Sequence, residues 1–284
     1  MKLEKSHLVH GGQLGYYLHD SAETKTEMRF TLFLPPVLKG DAKLPYVIFL
    51  SGLTCTADNF TTKAGAYKKA AELGLAVLAP DTTPRGDDVP NVDSYDFGQG
   101  AGFYLDAREE PWAKNFRMES YLIKELIPQI EAAFPLDAAR KSIMGHSMGG
   151  HGALTLYFRH KGLFQTVSAF SPIVAPSLVP WGQKAFAGYL GADQTAWAEH
   201  DACQLVRADQ DAATNPEILI DQGLADDFLE EQLKPELFEE ACKDAGQALK
   251  LRRHAGYDHS YFFISSFMDD HLDFHAEGLK GVKR

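Results

Sequence analysis

The chain has 284 residues, 45% of them apolar and 24% charged, a balance that excludes disordered and fibrous classes and lets roughly 75% of the unfolded surface be buried without a metal or disulfide. Lysine and arginine number 28 against 39 aspartates and glutamates, a formal net charge of −11 whose long-range field opposes a phosphate backbone, so no nucleic-acid partner is expected. The longest apolar runs are far shorter than the roughly 20 residues of a membrane span, so no membrane partner is expected either. In chain order, residues 28–34 alternate apolar with polar and stop at Pro35 and Pro36, an antiparallel strand signature. Residues 46–50 and 75–80 are fully apolar runs of the kind buried on both faces of a sheet. Between them, 62–73 carries helical spacing and ends at Gly74.

The alternation continues with a helix over 118–134, closed by Pro135, a short strand over 141–145, a helix over 148–159, and strands over 167–170 and 217–221. Helices over 235–245 and 261–279 flank a last strand over 248–253. Residues 1–284 are therefore expected to form a single α/β domain, a mostly parallel sheet with antiparallel N-terminal strands and helices on both faces. The stretches 81–116 and 171–215 are predicted to be irregular insertions or lids. Cys55, Cys203 and Cys242 make neither a disulfide framework nor a CxxC site, and residues 1–20 lack the apolar core of a secretory signal. Both point to a cytoplasmic address.

Gly145-His146-Ser147-Met148-Gly149 matches G-x-S-x-G between a predicted strand and a predicted helix, the context of a nucleophile elbow. The two glycines are needed because the turn is too tight for side chains, and it holds Ser147 at a strained backbone angle with Oγ exposed. The helix that follows points its N-terminus at the site, which makes the Met148 amide an oxyanion donor. A serine needs a base, and the base needs an acid to orient it. His259 follows the last strand in a glycine-containing loop, where a catalytic base belongs, while His151 and His160 lie on the elbow helix and His254 in the strand. Asp221, Asp226, Asp227 and Asp258 compete for the acid; geometry favours Asp226, with Asp227 its nearest rival. The turn after 46–50 offers the Leu53 amide as the second oxyanion donor, with Cys55 two residues on as a buried small residue or a modifiable thiol. His271 and His275 lie one helical turn apart, but with no third ligand they read as surface residues rather than a metal pair. Gly98 to Gly102 reads as a flexible loop. No metal and no cofactor is expected.

Ser51-Gly-Leu-Thr-Cys-Thr56, Asp81-Thr-Thr-Pro-Arg-Gly86, Gly102-Phe-Tyr-Leu-Asp-Ala107, Gly145 to Ala153, Ile220-Asp-Gln-Gly223 with Asp226 and Phe228, and Gly256-Tyr-Asp-His-Ser-Tyr261 together resemble the S-formylglutathione hydrolase, or esterase D, family. The resemblance runs nearly the whole chain. It implies an α/β-hydrolase fold, hydrolysis of the small-molecule thioester S-formylglutathione to glutathione and formate, and a cytoplasmic homodimer. It also implies a triad of Ser147, Asp226 and His259, oxyanion amides at Leu53 and Met148, a thiol near the site at Cys55, and an acyl pocket bordered by Trp181. A general short-chain carboxylesterase, an acyltransferase and a catalytically dead binding protein are the rivals. Arg85, Lys114 and Arg117 are candidates, by loop position, to meet the carboxylates of glutathione.

Overall fold

The computed structural model, which describes residues 1–36 and 43–280, begins with three strands, β1 (Lys2–Val9), β2 (Gly12–Asp20) and β3 (Glu27–Leu34). Six more follow: β4 (Leu44–Leu50), β5 (Ala76–Pro80), β6 (Leu136–His146), β7 (Val167–Phe170), β8 (Ile218–Gly223) and β9 (Leu249–His254). They join in one sheet in the order β1-β2-β3-β5-β4-β6-β7-β8-β9. β1, β2, β3 and β5 pair antiparallel, and from β5 through β4 to β9 every pairing is parallel. This is the sheet expected from the sequence, lengthened at its antiparallel edge by β1 and β2. β1 is exposed on both faces, and Lys2, Glu4 and Lys5 on it discourage pairing with another edge.

Side chains of a strand alternate between faces, so each fully apolar run feeds two cores. Tyr46, Ile48 and Leu50 pack on one side of the sheet with Leu78, Ile143, Tyr104 and Tyr121. Val47, Phe49 and Val77 pack on the other with Phe60, Tyr67, Phe263 and Met268.

Several predicted helices take a different form. The single helix expected over 62–73 is two, α1 (Ala57–Lys63) and α2 (Tyr67–Leu73), because Gly65 at φ 71° breaks the run. The helix over 118–134 is divided into α3 (Met118–Ser120), a π turn (Tyr121–Leu126) and α4 (Ile127–Ala133); Pro128, which lacks an amide proton, sits where regular bonding resumes. The insertion 171–215 is not irregular: it contains α6 (Pro180–Leu190), α7 (Gln194–Trp197) and α8 (Ala202–Ala208), after α5 (Met148–Arg159) and before α9 (Pro235–Ala245) and α10 (Tyr261–Lys280). Nor is the Gly98–Gly102 stretch flexible: the Gly98 amide donates to the Tyr189 hydroxyl (2.9 Å) and the Gly100 amide to Thr83 Oγ1 (2.8 Å).

His271 and His275 are also corrected, since both are wholly buried rather than on a surface. His271 Nδ1 and His275 Nε2 each lie 2.8 Å from Ser168 Oγ, and His275 Nδ1 lies 2.7 Å from Thr166 Oγ1. His271 Nε2 reaches Asp221 Oδ2 at 3.2 Å, and Arg252 donates to both oxygens of that carboxylate at 2.5 Å. The two histidines tie α10 to the sheet through serine and threonine side chains, and among the described residues no group is arranged to hold a metal.

Glu119 anchors the far end of α5. It accepts from Arg159 Nε (3.0 Å) and lies 2.8 Å from His160 Nε2. Burial alone would raise its carboxyl, but His160 and Arg159 overrule it and hold it at about 2. A depressed carboxylate stabilises the fold above its unfolded value and loses that contribution as pH falls through the folded one. Glu119→Gln should therefore lower stability by about 3 kcal/mol at pH 7, with the gap to wild type narrowing between about pH 4.5 and pH 2; urea unfolding at pH 7 and pH 3 reads this.

Candidate active site

β6 runs straight into α5, and the junction is Ser147 at φ 58°, ψ −118°. Nothing larger than glycine fits on either side: a Cβ on Gly145 would lie 2.1 Å from Gly149 O, and one on Gly149 would lie 2.0 Å from Leu50 O. Met148 is the first residue of α5, so its amide has no acceptor within the helix.

Parallel pairing sets Leu50 of β4 opposite Gly145 of β6, which brings the turn after β4 against the elbow. A Cβ on Gly52 would sit 3.2 Å from Ser147 Cβ. The turn closes with the Cys55 amide donating to Gly52 O (3.3 Å), and the Thr54 amide donates to Gly100 O (2.9 Å). Thr54 has φ 66°, the left-handed geometry that normally demands glycine.

The same logic joins the other two loops. Gly223 at the end of β8 pairs with His254 at the end of β9, so the loops that follow run side by side. His259 Nδ1 lies 2.5 Å from Asp226 Oδ2, which leaves Nε2 of the ring for a proton from serine. The Phe228 amide donates to Asp226 Oδ1 (2.9 Å) and fixes the carboxylate from behind. The competing acids lie elsewhere. Asp221 is spent on Arg252 and His271, Asp227 is exposed, and exposed Asp258 accepts from the amide and hydroxyl of Ser260. His151 is bound 3.0 Å from Phe103 O, and His160 serves Glu119.

Ser147, His259, Leu53, Cys55 and Trp181 line one cavity of about 290 Å³. Burial pushes the Cys55 thiol up, against weaker opposing pulls from Tyr261, Lys63 and Arg85, so at neutral pH it is a poor nucleophile. Sequence reasoning assigned no role to His146, Tyr95 or Asn59, and noted Phe228 and Tyr261 only within the resemblance; all five line the cavity. Phe228 packs between Trp181 and His259, with ring centroids 4.6 and 5.1 Å away, and Trp181 Nε1 donates to the Tyr95 hydroxyl (3.0 Å). The buried ring of His146 lies 4.4 Å from that of His259; burial, aided by the charge of His259, holds it well below the ordinary histidine value.

The three proposed carboxylate contacts are not gathered here. Arg85 donates to Asp81 and Cys55 O, Arg117 pairs with Glu23 and Asp106 on a separate 440 Å³ cavity, and neither Arg117 nor Lys114 lines the catalytic one.

A family model described as "Putative esterase" matches residues 21–274. The chain is 50% identical to an S-formylglutathione hydrolase from Agrobacterium tumefaciens, with a TM-score of 0.94 over 98% of this chain and 100% of that one. An S-formylglutathione hydrolase from Staphylococcus aureus (18% identity, 92% and 97% covered, TM-score 0.70) and a ferulic acid esterase (20%, 94% and 98%, 0.74) share the fold.

If Asp226 orients His259, Asp226→Asn should cut kcat by about a thousandfold or more while the fold survives. Asp227→Asn and Asp258→Asn should leave it within about threefold, as expected of exposed carboxylates away from the base. Steady-state kinetics on the three variants decides the assignment.

Proposed function

We propose that the chain, which belongs to the esterase family, hydrolyses S-formylglutathione to glutathione and formate, with one α/β domain carrying the whole machinery. The observation that carries this reading is the pairing of His259 Nδ1 with Asp226 in a cavity that also holds Ser147 at the elbow, in a chain 50% identical to a protein of that activity.

His259 Nε2 takes the proton of Ser147 as Oγ attacks the formyl carbon, and negative charge moves to the formyl oxygen. The amides of Leu53 and Met148 meet that oxygen, each worth about 3 to 4 kcal/mol in comparable sites. As the tetrahedral intermediate collapses the carbon–sulfur bond breaks, the sulfur leaves with its electron pair, and the imidazolium returns the proton to it as glutathione departs. Water then gives a proton to the same nitrogen and attacks the formyl-serine; a second collapse releases formic acid, which ionises, and restores the Ser147 hydroxyl. Asp226 stabilises the imidazolium in both halves.

The cavity supports a small acyl group. At 290 Å³ it lies at the lower end of ligand pockets, so a tripeptide leaving group must extend past its mouth. Among the described residues no Asp, Glu, Lys or Arg lines it. This feature also favours the second reading, a short-chain carboxylesterase indifferent to the leaving group. Lys63 stands at the rim, its ammonium 5.9 Å from the ring of Tyr261, and is placed to meet a carboxylate outside the cavity. The cytoplasmic homodimer belongs to the same proposal. The unpaired cysteines suit a reducing compartment, and light scattering measures the assembly.

Ser147→Ala should lower turnover of S-formylglutathione by at least about a thousandfold; retention of wild-type turnover sinks the reading. Lys63→Glu should raise KM for S-formylglutathione severalfold and leave kcat, and the hydrolysis of neutral p-nitrophenyl acetate, unchanged. Equal KM values for both substrates before and after the change would favour the unselective esterase.

A further inference from the structure

Asp81-Thr-Thr-Pro-Arg-Gly86 has no part in the chemistry above, yet its side chains converge on the oxyanion turn. Thr82 Oγ1 donates to Cys55 O at 2.6 Å, and Arg85 Nη2 donates to the same carbonyl at 2.9 Å. Arg85 Nη2 also reaches Thr82 Oγ1 (3.2 Å), and its Nε donates to Asp81 Oδ1 (3.1 Å). Asp81 is buried, and its Oδ1 accepts from the Thr82 amide at 2.7 Å. Thr83 Oγ1, next in sequence, accepts from the Gly100 amide, and Gly100 O in turn accepts from the Thr54 amide.

We infer that Asp81, Thr82 and Arg85 are positioning residues for the oxyanion hole: they grip the carbonyl of Cys55 and so fix the direction of the Leu53 amide. The turn needs such a grip. Thr54 holds a positive φ that a β-branched residue adopts only under constraint. The turn is pinned at the Thr54 amide by Gly100 and at the Cys55 carbonyl by Thr82 and Arg85. Two donors on one carbonyl, one of them charged, exceed what a surface turn ordinarily has. With the carbonyl released, the turn can relax toward a negative φ at Thr54, which swings the Thr54–Cys55 peptide and with it the Cys55 amide that holds Gly52 O (3.3 Å), the carbonyl of the same peptide plane as the Leu53 amide. An amide turned away from the forming oxyanion stabilises the transition state less while leaving ground-state binding almost untouched. The Asp81 carboxylate keeps the guanidinium aimed, so the acid is required although it touches neither the turn nor the substrate.

The inference rests on the serine-hydrolase reading, and the experiment separates the two. Thr82→Val removes the donor at nearly constant volume. It should lower kcat about 10- to 100-fold with KM within about twofold of wild type. Phosphonylation of Ser147 by a fluorophosphonate should slow in parallel, because the adduct's oxygen occupies the same amides. Thr82→Ser, which keeps the hydroxyl, should recover most of the loss. The pair Asp81→Asn with Arg85→Met avoids stranding a buried carboxylate and should show the same split between kcat and KM. Circular dichroism and thermal unfolding give the folded fraction by which every rate is normalised. Unchanged kcat and phosphonylation per folded molecule in Thr82→Val overturns the inference, as does a loss that Thr82→Ser does not recover. A wild-type protein that neither turns over S-formylglutathione nor reacts with the probe overturns the underlying reading, and this inference with it.

Discussion

Ser147 occupies a backbone conformation that costs about 1 to 3 kcal/mol, and both of its peptide groups are hydrogen-bonded so that it cannot relax. Its amide donates to Phe170 O (2.9 Å), and its carbonyl accepts from the amides of His151 (2.9 Å) and Ile173 (3.2 Å). The sheet on one side and the helix on the other thus over-determine one residue. The same twist lets α5 start so close to the sheet that Gly149 touches Leu50 O, and this contact sets how near the turn after β4 comes to Ser147. The elbow and the turn after β4 are therefore one steric arrangement, and a larger residue at Gly145 or Gly149 disturbs both.

The loop of the proposed base is held by different means. His259 lies in a loop between β9 and α10, so its position depends on where both neighbours are fixed. β9 is fixed by β8, and the loops beyond them pack so tightly that a Cβ on Gly223 would meet Tyr257 O at 2.4 Å. α10 is fixed by the buried chain from Asp221 through His271, Ser168 and His275 to Thr166. Polar groups taken out of water are tolerated only when paired, and here the pairs close on a carboxylate matched by Arg252. Burial would raise Asp221; His271 and Arg252 instead hold it far below the usual carboxylate range. Such a network packs in one register only, so α10 cannot slide along the sheet and carry His259 with it.

Much of this was legible in the chain because it follows from local rules. Fully apolar strands, helix-ending glycines and the elbow pentapeptide each report on themselves, and the topology orders the loops once the strands are known. What stayed hidden depends on residues far apart in sequence. His271 and His275 looked solvent-facing because nothing local marks Ser168 and Thr166 as their partners, although polar residues on otherwise buried strands were a signal. Arg85 looked free to bind substrate because Asp81 and Cys55 O claim it only through the fold. The helices of 171–215 were missed because their amphipathic pattern is short and broken by glycine and proline. His146, the second residue of the elbow pentapeptide, occupies a position the motif leaves open to any residue, yet it supplies the neutral surface against which His259 packs.

The net charge of −11 acts beyond the site but is screened within about 10 Å at 0.1 M salt, so it slows the approach of an anionic thioester more than it affects the reaction. Among the described residues no Asp, Glu, Lys or Arg lines the cavity, so in the proposed reaction stabilisation comes from amide dipoles, with α5 adding its positive end. Dipoles aimed at a point favour charge that develops there and are nearly indifferent to a neutral acyl group before it reacts. A site built in this way gains rate without gaining ground-state affinity. Selectivity among leaving groups then has to come from the rim, where aromatic side chains and a single-residue charge such as Lys63 meet whatever the 290 Å³ cavity leaves outside. In the proposed reaction the acyl end is then chosen by size and the thiol end by contacts at the mouth, with Tyr261 the hinge between them: it lines the cavity, and its ring lies 5.9 Å from the Lys63 ammonium.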